Sequence, residues 1–270
     1  MISNCQERGD VMSIDSMTIE ECLSIKRDVE EYLRSKQNKE QISSYDLLSD
    51  HDKLLVLMYA KLLSKKAEEM EPGITKDLKD LELDGIGKLV SLEHRKKPIT
   101  SIIEKIIADS KSERYKGSYK RAADNICDTV RYTFIISDDM YTKKLDECLH
   151  MLEDMGYEVI DFKNKWGELA YKGVNVRIST KDHKEIFELQ FHTPLGYRIK
   201  EGVSYGDTTK EDETPFKIGS TRSLYQVSRD EDAPEWLRIR ADRLRSFLQT
   251  FIDTPEGMLD YMYDRDIKRR

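Results

Sequence analysis

Between Phe187 and Thr193 the chain reads FELQFHT, whose period-two alternation puts Phe187, Leu189 and Phe191 on one face of a β-strand and Glu188, Gln190 and His192 on the other. A carboxylate, an amide and an imidazole in one row cannot face a dry core cheaply. That face is either wet and without consequence, or it lines a cleft in which the three groups converge on a ligand. The neighbouring residues favour the cleft. Asp128 stands three residues before Arg131, at a helix-to-strand junction that brings both to the edge of the sheet, where Glu188 on an adjacent strand would face the same space.

Two carboxylates a few ångströms apart with cations around them are what a magnesium nucleotide site requires, because Mg²⁺ takes hard oxygen ligands and phosphates need positive charge. The candidate phosphate-binding residues are Arg95, Lys97, Ser101 and Lys105. Between Arg95 and Arg121 stand nine Lys or Arg against Glu104, Asp109 and Glu113, an excess that suits a polyphosphate or the end of a nucleic-acid strand. A solvated helix face is the plainer alternative. Ser101 and Lys105 follow Lys97 by four and eight residues, so a helix that began early enough would put all three on one face. In YKGVN, Tyr171 precedes Gly173, where the backbone can come close and an exposed ring can stack on a base.

The frame that must hold these residues is α+β, a short mixed sheet with helices on one side. Strands are predicted over Arg131 to Ile136, Tyr157 to Lys163, Val174 to Thr180 and Glu185 to Thr193. Helices are predicted from Ile99 to Ala108, from Ser118 to Asp128 and from Tyr141 to Met155, the last closed by Gly156 as a C-cap. Residues 1 to about 92 read as a helical region. There Thr18 and Glu21 form a capping box before a helix to about Lys36, and Leu54, Leu55, Leu57, Met58, Leu62 and Leu63 mark a second helix that ends near Pro72-Gly73. Met12 is an alternative start, which would leave the first eleven residues as a tail. Residues 93 to 230 form the chemical domain, with a mobile acidic loop at 206 to 219, and residues 231 to 270 are C-terminal helices.

With 38% hydrophobic and 36% charged residues the chain offers no apolar run long enough to span a membrane and no signal-peptide core, so it reads as cytoplasmic at its site of action, with signal-less secretion left open. Cys5, Cys22, Cys127 and Cys148 are scattered without a paired spacing, which argues for reduced thiols rather than a zinc knuckle or disulfide framework. A net charge of -7 speaks against bulk nucleic-acid affinity outside the basic stretch.

Taken in order, HRKKPITSIIEK (His94 to Lys105), DTVRYTF (Asp128 to Phe134), KNKW (Lys163 to Trp166), YKGVN (Tyr171 to Asn175) and FELQFHT resemble the nucleotide-synthetase domain of the RelA/SpoT family, in the divergent branch of small alarmone synthetases and toxin domains. YQVSR, Tyr225 to Arg229, is similar to that branch's Tyr-Glu-x-x-Arg, displaced by the acidic loop. The resemblance covers roughly residues 93 to 230. It implies the synthetase fold, nucleotidyltransferase-like, and an ATP-dependent pyrophosphokinase that moves the β,γ-pyrophosphoryl group of ATP to a 3′-hydroxyl as AMP leaves. It implies that Asp128 and Glu188 bind Mg²⁺ and that Glu188 accepts the hydroxyl's proton. It assigns Arg95, Lys97, Ser101, Lys105 and Arg131 to ATP, and Tyr171, Lys163, Asn175, Gln190 and His192 to the acceptor.

The acceptor stays open between GDP or GTP, an adenine nucleotide and a tRNA 3′ end. The long synthetases' Asn-Gly-Tyr-x-Ser-x-His loop is reduced here to Tyr171 to Asn175, and the usual Gln-Ile-Arg-Thr is Gln190-Phe191-His192-Thr193. A toxin of this kind implies a neutralising antitoxin or a separate hydrolase. Two other readings stand beside the synthetase: a catalytically degenerate nucleotide sensor, which would not require both Asp128 and Glu188, and a related nucleotidyltransferase, which would release pyrophosphate instead of AMP. Singly, Glu188 could be a surface carboxylate, Asp128 a structural partner of Arg131, Trp166 and Tyr171 packing residues, and His192 a partner of a backbone carbonyl. His51-Asp52 invites a metal-dependent phosphohydrolase reading, rejected because residues 1 to 92 hold no other histidine to complete such a site. His51 fits better near a helix N-terminus, with Asp50 and Asp52 against the dipole.

Overall fold

The computed structural model describes residues 17–38, 44–202 and 220–263, so the N-terminal tail and the acidic loop at 206–219 lie outside the described residues. Five strands form one mixed sheet in the order β1-β2-β5-β4-β3. They are β1 (Lys88–Val90), β2 (Arg131–Ile135), β3 (Glu158–Asn164), β4 (Val174–Ser179) and β5 (Ile186–His192). β5 runs parallel to β2 and antiparallel to β4, and the other two pairings are antiparallel. The four predicted strands are found to within one residue at each end; β1, only three residues long, gave no signal of its own.

The helices among the described residues are α1 (Ile19–Asn38), α2 (Asp50–Leu83), α3 (Ile99–Ser110), α4 (Tyr119–Asp124), α5 (Tyr141–Asp154), α6 (Pro194–Glu201), α7 (Thr221–Ser228) and α8 (Glu235–Gln249). The capping box forms as expected: Thr18 N–H donates to Glu21 Oε2 at 2.7 Å, and Glu21 N–H to Thr18 Oγ1 at 3.2 Å. Gly156, with φ 93°, follows α5 in the left-handed conformation that favours glycine.

One face of the sheet is dry. Tyr132 and Phe134 of β2, Val174, Val176 and Ile178 of β4 and Phe187, Leu189 and Phe191 of β5 are buried, and they share a core with Leu145, Leu149 and Leu152 of α5 and with Leu78 and Leu81 of α2. Strand alternation leaves the opposite face polar. The same core takes in Val29 of α1, Leu224 of α7 and Leu244 of α8. Arg240 Nη1 of α8 reaches Asp28 of α1 at 2.5 Å, and the Tyr32 hydroxyl donates to Asp230 at 3.0 Å. The helices before residue 92 and those after residue 230 therefore pack together.

Two helix expectations are corrected. α2 does not end at Pro72-Gly73 but runs on to Leu83. An internal proline costs about 3 kcal/mol, but beyond it Ile74, Leu78 and Leu81 bury completely or nearly so, and full burial of such side chains contributes about 1.5–3 kcal/mol each. α4 stops at Asp124, with Asn125 as its C-cap, so Asp128 approaches β2 from a connecting segment. α3 begins at Ile99 as predicted, so the earlier start that would put Lys97 on one helical face with Ser101 and Lys105 is not met.

Candidate active site

The sheet register sets the polar face in rows. Arg131, Glu188 and Arg177 are direct partners across β2, β5 and β4, and Thr133, Gln190, Asn175 and Lys163 form the next row. Glu188 thus lies between two arginine positions. Arg131 Nη2 donates to Asp128 Oδ2 at 2.8 Å, and its Nε lies 3.3 Å from Glu188 Oε1, so one guanidinium spans the two carboxylates. Asp128 is held from the other side by Lys97, whose Nζ donates to Oδ2, and by Lys105, whose Nζ is 3.5 Å from Oδ1.

Lys97 reaches this point because its own segment is stitched to the start of β2. Its N–H donates to Thr129 O at 2.9 Å, and Arg131 N–H donates to Arg95 O at 2.8 Å. Burial alone would raise the Asp128 carboxyl; Lys97, Lys105 and Arg131 outweigh it and hold the group below the usual carboxylate range. Burial lowers the Lys97 ammonium, and its cationic neighbours add to that despite Asp128. Cations outnumber carboxylates here, which leaves positive charge to offer a phosphate.

The second half of the site is a polar network. Gln190 Nε2 donates to Glu188 Oε1, and Lys200 of α6 donates to Gln190 Oε1 at 2.7 Å and approaches His192 Nε2 at 3.3 Å. His192 Nδ1 faces Lys172 O at 3.2 Å. A carbonyl can only accept, so Nδ1 carries the proton and Nε2 is the acceptor. The Tyr171 hydroxyl lies 2.8 Å from Asn175 Oδ1 and 3.0 Å from His192 Nε2. Burial drives His192 well below its ordinary value, keeping it neutral, and drives the Tyr171 hydroxyl far above its own. Gly173 is required at its position because a Cβ there would meet His192 Cε1 at 2.8 Å.

These groups border a cleft of about 690 Å³. Of the residues expected from the sequence, Asp128, Glu188, Lys105, Arg131, Tyr171, Asn175 and Gln190 line it. Lys97 and His192 stand behind that wall, holding Asp128 and Tyr171 respectively. Arg95 is engaged elsewhere, on the buried Glu71 of α2 and on Leu92 O. Ser101 lies in the first turn of α3, and Lys163 pairs with Asp161 at 3.2 Å; neither lines the cleft. Tyr171 meets His192 edge-on at 5.4 Å between ring centres, with Lys165 Nζ 5.5 Å from its own. Trp166 is fully buried and packs edge-on against Tyr141, the core role weighed for it.

Sequence reasoning missed Arg177, Lys200, Arg222 and Arg245, which also line the cleft. Arg177 had a signal, since Val174, Val176 and Ile178 point inward and leave Asn175 and Arg177 facing out beside Glu188. Tyr225, named in YQVSR but given no site role there, lines the cleft too, with Arg229 and Arg245 at 5.2 and 5.1 Å from its ring centre.

The donor set fits magnesium delivered with a phosphate. Asp128 Oδ1 is buried and accepts no hydrogen bond among the described residues; only the Lys105 ammonium faces it, at 3.5 Å, so its lone pairs are free to take a metal ion beside that charge. Groups of three or more His, Cys, Asp or Glu able to cage a metal are absent among the described residues. Mg²⁺ needs no such cage, because one or two carboxylates commonly suffice when substrate phosphates and water complete its shell.

Comparison of the sequence with family models and with curated proteins gives no match. Its structural neighbours are small alarmone synthetases and related proteins. Small alarmone synthetase 1 from Bacillus subtilis, solved bound to its product pppGpp, is 12% identical with a TM-score of 0.41, over 82% of this chain and 100% of that one. A GTP pyrophosphokinase family protein from Streptococcus pneumoniae is 14% identical with a TM-score of 0.35, over 77% and 92%. The protein smu.1046c from Streptococcus mutans UA159 is 14% identical with a TM-score of 0.39, over 77% and 95%. All three scores lie below 0.5, so the chemistry of the cleft has to be read from its own residues.

Proposed function

We propose that the chain is an ATP-dependent pyrophosphokinase acting on the 3′-hydroxyl of a nucleotide or of an RNA 3′ end. The observation that carries this reading is the pair of carboxylates bridged by Arg131 in a cation-rich cleft. Lys105, Arg131 and Arg177 supply charge for the ATP phosphates, while Lys97 keeps Asp128 ionised and in place. Glu188 Oε1 is occupied by Gln190 and Arg131, which leaves Oε2 to take the proton of the attacking hydroxyl. As the acceptor oxygen bonds to the β-phosphorus, the bond from that phosphorus to the α,β-bridging oxygen breaks and AMP departs. Bound Mg²⁺, held by Asp128 and Glu188, would neutralise charge on the phosphate oxygens. Tyr171 would border the acceptor.

Incubation with γ-labelled ATP and GDP, GTP, an adenine nucleotide or total tRNA tests the reading. Label is expected in one acceptor fraction together with AMP in equal amount; ADP or free pyrophosphate as the co-product would overturn it. Glu188→Gln should lower transfer by a factor of about 10² or more with the fold intact, and a variant keeping a tenth of the activity would remove Glu188 from this role. The exposed Lys116, Lys120 and Arg121 separate the acceptors. Reversing their charge should weaken an RNA acceptor steeply and in a salt-dependent way, and a free nucleotide hardly at all.

A further inference from the structure

Lys200 is absent from the motifs read in the sequence, yet its ammonium faces three acceptors: Gln190 Oε1 at 2.7 Å, His192 Nε2 at 3.3 Å and Glu201 Oε1 at 3.5 Å. An ammonium has three donors, and here each has an acceptor to face. The placement is rigid. α6 starts directly after β5, where Thr193 caps it by accepting from Gly196 N–H at 3.2 Å and Pro194 occupies the first turn. It ends at Gly202, whose φ of 73° and whose approach to Ser220, 2.9 Å from an added Cβ, admit no larger residue. The last turn of this short helix therefore sets Lys200 over the polar face of β5.

The consequence runs through Gln190. A side-chain amide can turn either its oxygen or its NH₂ toward Glu188, and the oxygen would repel a carboxylate. By engaging Oε1, Lys200 fixes the NH₂ on Glu188 Oε1. Arg131 approaches the same oxygen, so both contacts fall on Oε1 and neither engages Oε2 of this cleft-lining carboxylate. On the reading of Glu188 as the proton acceptor, we infer that Lys200 is a positioning residue, which presents that carboxylate through Gln190 and does not itself hold ATP.

Three variants of the full chain test this: Lys200→Met, which keeps the stem and removes the donors, Lys200→Arg, which keeps donors and charge, and Gln190→Leu. The first readout needs no catalysis. In Lys200→Met the Gln190 side-chain amide resonances in a ¹H–¹⁵N spectrum should move, and in Lys200→Arg they should stay near their wild-type positions; resonances unmoved in Lys200→Met would overturn the inference. The second readout is kinetic. Lys200→Met should lower kcat by about tenfold or more, with KM for ATP within about twofold. Lys200→Arg should restore most of kcat, and the double variant Lys200→Met with Gln190→Leu should lose no more than the worse single variant, as expected for residues acting in one chain. A raised KM for ATP with kcat unchanged would make Lys200 a phosphate-holding cation, and multiplying losses would make the two residues independent; either overturns the inference. Should the wild type transfer no pyrophosphoryl group to any acceptor, the functional reading fails by itself while the amide resonances still report on the hydrogen-bond chain.

Discussion

Arg95 and Lys97 stand two residues apart and meet different partners, one on Glu71 under the sheet and the other on Asp128 beside the cleft. Arg95→Ala should therefore act on stability: it leaves Glu71 buried without its cation, a loss of about 3 kcal/mol by analogy with broken buried pairs, and KM for ATP should stay within about twofold. A raised KM at unchanged melting temperature would return Arg95 to the phosphate site. His192 offers a pH signature. Its folded value lies well below the ordinary 6.5, so above that pH both states are neutral. Below it the unfolded chain takes up a proton that the native state refuses. Stability is thus lost as pH falls below about 6.5, by at most about 1.4 kcal/mol per unit. Urea unfolding at pH 7.5 and 5.5 should show His192→Gln losing about 1 kcal/mol less than wild type over that interval. That Glu188 would line the cleft was legible from strand alternation in β5, and Asp128, Lys105 and Tyr171 were picked out by residue type and by their neighbours in the chain. The partner of a cation such as Arg95 was not, because it depends on how Glu71 of α2 is brought against a segment 24 residues further along the chain.

At the scale of elements, the sheet was readable because period-two alternation survives wherever one face is dry, as in β5 with Phe187, Leu189 and Phe191. Helix ends were less so. Local signals placed a stop at Pro72-Gly73, whereas burial of Ile74, Leu78 and Leu81 carries α2 through it. Leu54, Met58 and Leu62 identified the first half of α2 correctly but stay exposed, since that half packs inward through Val56 and Ala60. Gly73 has open space where a Cβ would stand and sits within the helix, so Gly73→Ala should stabilise by about 0.5–1 kcal/mol. A calorimetric midpoint raised by about 1–3 °C would match that gain, and a lowered one would mean the helix needs its flexibility there. α6 escaped notice because its role rests on a single lysine in its last turn.

At the scale of the molecule, the core that packs beneath the sheet also holds α1, α7 and α8, so the N-terminal helices and the C-terminal helices are not separate bodies. Thermal unfolding of the whole chain should show one transition, with calorimetric and van't Hoff enthalpies in agreement. An early, separate loss of the α1–α8 contact, seen as a second transition, would contradict this. That contact also has a meaning in time. α1 is made first, yet the face carrying Val29 and Asp28 meets α8 only after about the 250th residue has been joined to the chain. Until then the α7 wall, with Arg222 and Tyr225, is not yet held beside the cleft that the carboxylates line. A chain that has not yet grown past α8 thus lacks one wall of the cleft that Asp128 and Glu188 line.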